Sequence, residues 1–243
     1  MQPPPLGNPN LTYERAFQTS LGVAHKFTDA INLDLTGFYN RRYDNIVSPG
    51  TRTVNPDGTV TTTTSANLGL GRAYGLEVML RHEPSKLGLF GWIAYTFNRS
   101  EERRAGTTDD YIVSTFDQTH ILTAVASYKL PWGFQLGARF RYVTGRPKSA
   151  LIHDFDIYQA DSNNYSATFG PARASRIKDF HQLDIRLDKD FVFKSWTLTA
   201  YIDVQNVYNH ANVEASFFDY RSRVEYEVPG IPILPVVGLK ASL

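Results

Sequence analysis

The 243-residue sequence has no cysteine, two methionines, and no apolar run of the roughly eighteen residues that a membrane-spanning helix needs. Without cysteine there is no disulfide framework, no thiolate metal site and no cysteine nucleophile. Lys and Arg number 25 against 24 Asp and Glu, so no basic field exists to attract nucleic acid. Met1-Gln2-Pro3-Pro4-Pro5-Leu6-Gly7-Asn8-Pro9 has no basic region followed by an apolar stretch, and does not read as a signal peptide.

Signatures of chemistry are also scarce. Gly69-Leu70-Gly71-Arg72-Ala73-Tyr74-Gly75 has one residue too many for G-x-G-x-x-G and reads as a flexible entry to a strand. No G-x-S-x-G is present. The histidines at 25, 82, 120, 153, 181 and 210 have no H-x-x-x-H spacing, and zinc needs three or four converging ligands. His153-Asp154-Phe155-Asp156 with Asp161, Ser162 and Asn163 gathers hard oxygen donors. Their spacing is not an EF-hand, so a solvated loop is expected. No catalytic residue, metal or cofactor is assigned.

What the sequence does have is aromatic residues (14 Tyr and 15 Phe) and alternation of period two. Nine segments have about the length of a tilted strand crossing a bilayer. They cover Arg15 to Phe27, Ala30 to Tyr43, Arg72 to His82, Leu89 to Asn98, Thr119 to Leu130 and Phe134 to Val143. Three more are centred on Leu183 to Asp188, on Trp196 to Gln205, and on Ile233 to Leu243. In the seventh, Leu183, Ile185 and Leu187 alternate with Asp184, Arg186 and Asp188.

Alternation alone also fits a β-sandwich or a lipocalin; the connections separate these readings. Tight turns at Thr28-Asp29, Pro84-Ser85-Lys86, Pro131-Trp132-Gly133 and Asp190 to Lys194 alternate with long segments around 47–70, 99–117, 145–178 and 209–229. Short periplasmic turns and long extracellular loops are the pattern of an outer-membrane barrel. Its wet interior also explains a mean hydropathy as low as −0.31. In that orientation the first and ninth strands descend, and Leu243 ends on the periplasmic side.

Aromatics near strand ends suit the two bilayer interfaces: Phe38, Tyr39 and Tyr43; Tyr128 and Trp132; Trp196 and Tyr208. Arg139, Arg141, Asp184, Arg186, Asp188, Asp203 and Gln205 share the polar parity. They are expected to face the lumen, pairing across strands to anchor strands or a plug, or contacting a ligand. The expected fold is therefore all-β, an antiparallel transmembrane up-and-down barrel. Nine strands cannot close antiparallel, so either a strand has escaped notice or this is a partial barrel, cut from something larger within a surface loop; the partial barrel is expected.

Gly7-Asn8-Pro9-Asn10-Leu11-Thr12-Tyr13-Glu14-Arg15 resembles an element of TonB-dependent outer-membrane receptors. So do Gly75-Leu76-Glu77, Tyr95-Thr96-Phe97-Asn98-Arg99-Ser100 and Asp117-Gln118-Thr119-His120-Ile121-Leu122. Thr144-Gly145-Arg146-Pro147, Asp203-Val204-Gln205-Asn206-Val207-Tyr208-Asn209 and Pro232-Ile233-Leu234-Pro235…Gly238-Leu239-Lys240 continue the series in the family's order.

The resemblance implies a larger barrel holding an N-terminal plug. It would import a scarce small-molecule ligand such as siderophore-bound iron, cobalamin or a glycan, with energy from TonB and ExbB–ExbD. Residues 1–243 would be the C-terminal part of that barrel, with no plug domain and no TonB box. Outer-membrane lipid and the barrel-assembly machinery are the other partners implied. Leu243 departs from the family's usual terminal aromatic, which puts efficient assembly in question. The alternatives are a small self-contained barrel acting as porin or adhesin, and an outer-membrane hydrolase with Ser, His and an acid at one rim.

Overall fold

The computed structural model describes residues 8–48, 51–54, 56–58, 60–63, 65–84, 88–103, 110–152, 157–166, 168–219, 221 and 223–243. Nine long strands form one antiparallel meander. They are β1 (Arg15–Lys26), β2 (Ile31–Val47), β3 (Ala66–His82), β4 (Leu89–Arg103), β5 (His120–Lys129), β6 (Phe134–Val143), β7 (Phe180–Val192), β8 (Thr197–Gln205) and β9 (Leu234–Ser242). Each pairs with its neighbour in sequence, and β1 and β9 are the two open edges. This is the partial barrel that the alternation predicts. The turn expected at Ser85 and Lys86 and the donors His153 to Asp156 lie outside the described residues.

The register gives each wall a single character. One row runs Leu35, Val78, Tyr95, Leu122, Tyr142 and His181 across β2 to β7; the next runs Leu33, Leu80, Ile93, Ala124, Phe140 and Leu183. The opposite wall carries Asp34, Thr36, Glu77, Thr96, Thr123, Arg139, Asp184 and Arg186. A water-soluble fold would bury the first set. Here no hydrophobic side chain is buried among the described residues, and Leu21, Val237 and Leu239 are exposed by 81%, 75% and 72%. The fully buried side chains are instead Asn206, Asp117 and Ser114. No second sheet or helix layer covers the apolar wall among the described residues, so hydrocarbon is its natural complement.

Two aromatic belts bound that wall. On the long-loop side stand Tyr39, Tyr74, Phe97, His120, Tyr142 and His181, with Tyr95 hydrogen-bonded to His120 (2.8 Å) and His181 to Tyr208 (2.9 Å). On the short-turn side are Phe27, Tyr128, Trp132 and Phe191, with Phe193 stacked on Trp196 at 4.6 Å. From residue 120 to residue 128 the outward rise is about 20 Å at ~3.3 Å per residue and a tilt near 40°, comparable to a bilayer's apolar band.

Three of the sequence readings change. β2, β3 and β4 run past the expected ends, by Asp44 to Val47, Ala66 to Gly71 and Arg99 to Arg103, where Asp44, Asn45, Gly69, Gly71, Arg99, Glu101 and Arg103 break the apolar alternation. The hydrophobic rhythm stops there while the backbone ladder continues. Phe38 belongs to the lumen wall and not to the belt, since its neighbour Tyr39 takes the outward position. The 69–75 run lies inside β3, not at its entry. There Gly75 leaves room for the Phe38 ring, and any Cβ would strike the Phe97 carbonyl. Among the described residues three of the four long loops also carry hairpins of their own, including Val213–Asp219 with Val224–Pro229, and the fourth lays Ile112–Val113 against the end of β4.

In plain buffer this chain is expected to aggregate, and to become an ordered β-rich monomer only with detergent or lipid. A compact monomer by sedimentation without either would overturn the membrane reading.

Candidate functional site

Five of the seven charged or polar residues expected in the lumen converge. Arg139 stands opposite Asp184 across β6 and β7, and its Nη2 donates to Oδ2 at 2.7 Å. The other carboxylate oxygen accepts from Gln182 Nε2 (2.6 Å) and the Asn206 backbone N–H (2.9 Å). Arg186 reaches Asp188 at 2.7 Å, stands opposite Asp203, and lies 3.8 Å over the Tyr201 ring. Ser127, Gln135, Arg139, Asp184, Arg186 and Asp203 line a depression of about 310 Å³. The other two residues sit outside it. Arg141 is one rung nearer the long loops, opposite Gln182 and 5.3 Å over Phe180; its Nε is buried without a hydrogen-bond partner. Gln205 ends β8 opposite Leu234.

Asp184 is buried while Arg139 is about half exposed. The pair therefore holds the β6–β7 junction and still offers cationic N–H groups to the lumen. Charge-assisted bonds of this kind are the stronger ones. The chemistry available is recognition of a polar or anionic solute.

The second polar cluster closes the long-loop rim, and it was not singled out from the sequence as a site. Asp117 is fully buried. Its carboxylate accepts from the Ser100 N–H (2.7 Å), the Thr119 hydroxyl (2.8 Å) and Arg176 Nη2 (2.5 Å). Arg176 also donates to the Gly145 carbonyl at 2.8 Å, so one guanidinium joins three loop segments. Burial alone would raise the Asp117 carboxyl, but the Ser100 amide, Arg176 and Thr119 outweigh it and hold it below the ordinary range. Asp179 is likewise held low by the Tyr142 hydroxyl and the Gly145 amide, against its own desolvation. At Gly145 the backbone passes so near the Ile177 carbonyl that a Cβ has no room.

Beside this clasp, Asn206 adopts a positive φ of 51°, a conformation in which asparagine is enriched. Its side chain donates to the carbonyls of His210 (2.9 Å) and Ile231 (3.0 Å) and accepts from the His210 N–H. Asn212 accepts from the His181 N–H at 2.9 Å. These bonds staple the loop after β8 to the tops of β7 and β8. Asp117, Gly145 and Asn206 all fall within the short motifs quoted above, which was the available signal. Nothing in the sequence ties Arg176 or Asp179 to them, because the contact is made only across loops. No group of three or more His, Asp or Glu that could hold a metal ion occurs among the described residues.

A meander with one apolar wall, two belts and a hydrogen-bonded rim narrows the comparison to membrane barrels. A family model described as "TonB dependent receptor-like, beta-barrel" matches residues 2–207. The chain belongs to this family. The TonB dependent receptor-like barrel is a protein of the bacterial outer membrane, which fixes where the apolar wall lies.

Among solved structures, this barrel resembles the outer membrane transporter YddB from Escherichia coli. Identity is 12%, the TM-score 0.66, and the match covers 97% of this chain and 33% of that one. The ferripyoverdine receptor of the outer membrane of Pseudomonas aeruginosa matches at 14% identity and TM-score 0.59, covering 94% and 27%. The FrpB iron transporter from Neisseria meningitidis matches at 17% and 0.59, covering 96% and 32%. At such identities the likeness is one of fold, and the chain spans about a third of the length of these relatives. No curated protein matches the sequence.

Proposed function

We propose that residues 1–243 form the C-terminal part of the barrel of a receptor that actively imports a scarce ligand, siderophore-bound iron first among the candidates. The observation that carries this reading is the open nine-stranded sheet of the TonB dependent receptor-like family, with a charged lumen wall and a fastened rim of long loops. Its solved relatives include a ferripyoverdine receptor and an iron transporter. Cobalamin and glycans are the other ligand classes in view.

In this reading Arg139, Arg141, Asp184, Arg186, Asp188, Asp203 and Gln205 contact the ligand or a plug. TonB with ExbB–ExbD acts through a plug that these residues do not supply, and the barrel-assembly machinery inserts the strands. The chain carries out no enzymatic step. The two free strand edges do not favour a self-contained porin or adhesin.

The test is uptake by cells with and without the gene, offered labelled ferric siderophores, cobalamin and oligosaccharides. Loss of energised uptake of one class, matched by de-energising the wild type, is the expected result. Unchanged uptake of every class would sink the proposal. Uptake that survives an uncoupler would point to a passive pore.

A further inference from the structure

We propose that Arg41, Arg72 and Arg99 form a docking site on the outer wall of the barrel for the phosphorylated headgroup of an outer-leaflet lipid. All three lie on the lipid-facing parity, on the consecutive strands β2, β3 and β4. Arg41 stands directly opposite Arg72. Like charges so placed repel and destabilise a sheet, and the nearby acids do not neutralise them. Glu101 alone serves both Arg72 (2.7 Å) and Arg99 (3.0 Å), while Asp44 is engaged by Arg15 at 2.6 Å. Arg41 forms no ion pair among the described residues, and its Nε is buried without a hydrogen-bond partner. The group that would balance this face is an anion.

Position and shape say which anion. Arg41 and Arg72 lie one rung loopward of Tyr39 and Tyr74, and Arg99 is level with Tyr74. Below them the wall is Leu35, Val78 and Ile93, which face hydrocarbon. An arginine is costly at mid-bilayer and nearly free at the interface, so this rung lies at headgroup height. Tyrosine rings hold the guanidinium planes: Tyr43 under Arg41 at 5.1 Å, and Tyr74 and Tyr111 against Arg72 at 5.9 and 4.2 Å. Planar guanidinium forks match phosphate oxygens two at a time. An anion presented on the outside of a barrel, just above the apolar band, is carried there by a lipid. A soluble solute would meet the cations of the lumen wall instead.

The intact protein, purified from outer membranes in mild detergent, is titrated with a bis-phosphorylated lipid A and with the same lipid stripped of phosphate. The phosphorylated form is expected to bind at least about tenfold tighter, and Arg41→Gln to weaken it by roughly tenfold, the scale of one lost charge-assisted bond. Arg72→Gln with Arg99→Gln is expected to weaken it further. Lys129→Gln, on the other wall, is expected to leave it unchanged. Arg41→Gln gives up the Tyr43 contact and relieves the repulsion from Arg72, so its far-UV circular dichroism is compared with the wild type, and a binding loss in a variant with the same β content is then a loss of contact. Equal binding of both lipids, full binding by Arg41→Gln, or displacement by inorganic phosphate would each overturn the proposal. The last result would mark a free-anion site.

Discussion

Ile185→Arg is expected to destabilise the folded barrel by about 2–4 kcal/mol and to cut the amount reaching the outer membrane, because it sets a charge against hydrocarbon. Ile185 lies between Ala138 and Val204 on the apolar wall, midway along β7. The adjacent change, Arg186→Ile, is expected to be largely tolerated. It removes the Asp188 ion pair and the partner facing Asp203, but both carboxylates still face water in the lumen. Urea titration of each variant in lipid vesicles, with membrane fractionation, gives the comparison. If Arg186→Ile proved the more damaging, the assignment of walls would be reversed.

Asp117→Ala is expected to cost about 3 kcal/mol locally, the low end for breaking a buried pair, since Arg176 is partly exposed. Without the carboxylate the Ser100 amide, the Thr119 hydroxyl and Arg176 all lose an acceptor. The loop between β6 and β7 should then open while the spanning strands stay intact. Hydrogen exchange and limited proteolysis over residues 144–179 would register this, and unchanged protection would remove the clasp from the account. Acid should mimic the substitution. An ordinary aspartate titrates near 3.9, and Asp117 and Asp179 are held below that when folded. Their stabilisation is therefore complete above about pH 4 and is lost as pH falls through the depressed folded values. The rim is expected to stay closed at neutral pH and to loosen only in stronger acid.

Much of the spanning region was legible because a strand between lipid and water writes its environment into every second residue. Leu183, Ile185 and Leu187 against Asp184, Arg186 and Asp188 gave β7 its face before any pairing was known. Legibility ended where that contrast ended. Beyond the belts, Asp44 and Asn45, Gly69 and Gly71, and Arg99, Glu101 and Arg103 break the alternation, so β2, β3 and β4 looked shorter than they are. Phe38 was misplaced because a bulky ring looks alike on either wall. The register, which sets it against Gly75, decides the matter.

The candidate site divides in the same way. Parity placed Arg139 and Asp184 on the lumen wall, but only the register puts them opposite each other, since one slipped residue would part them. The rim was the least visible, because Asp117 and Arg176 lie 59 residues apart in sequence and meet only when the loops fold over one end of the sheet.

The sequence by itself determined the architecture: alternation that partitions side chains between hydrocarbon and water, with long loops gathered at one end. That information is local, because each strand residue answers to the medium it touches. Tertiary structure alone decided which charges meet, which loops are fastened together, and that Arg72 and Arg99 share Glu101 on the outer wall while Arg41 faces Arg72. Those outcomes depend on strand register and loop packing, which join residues whose separation along the chain carries no pattern.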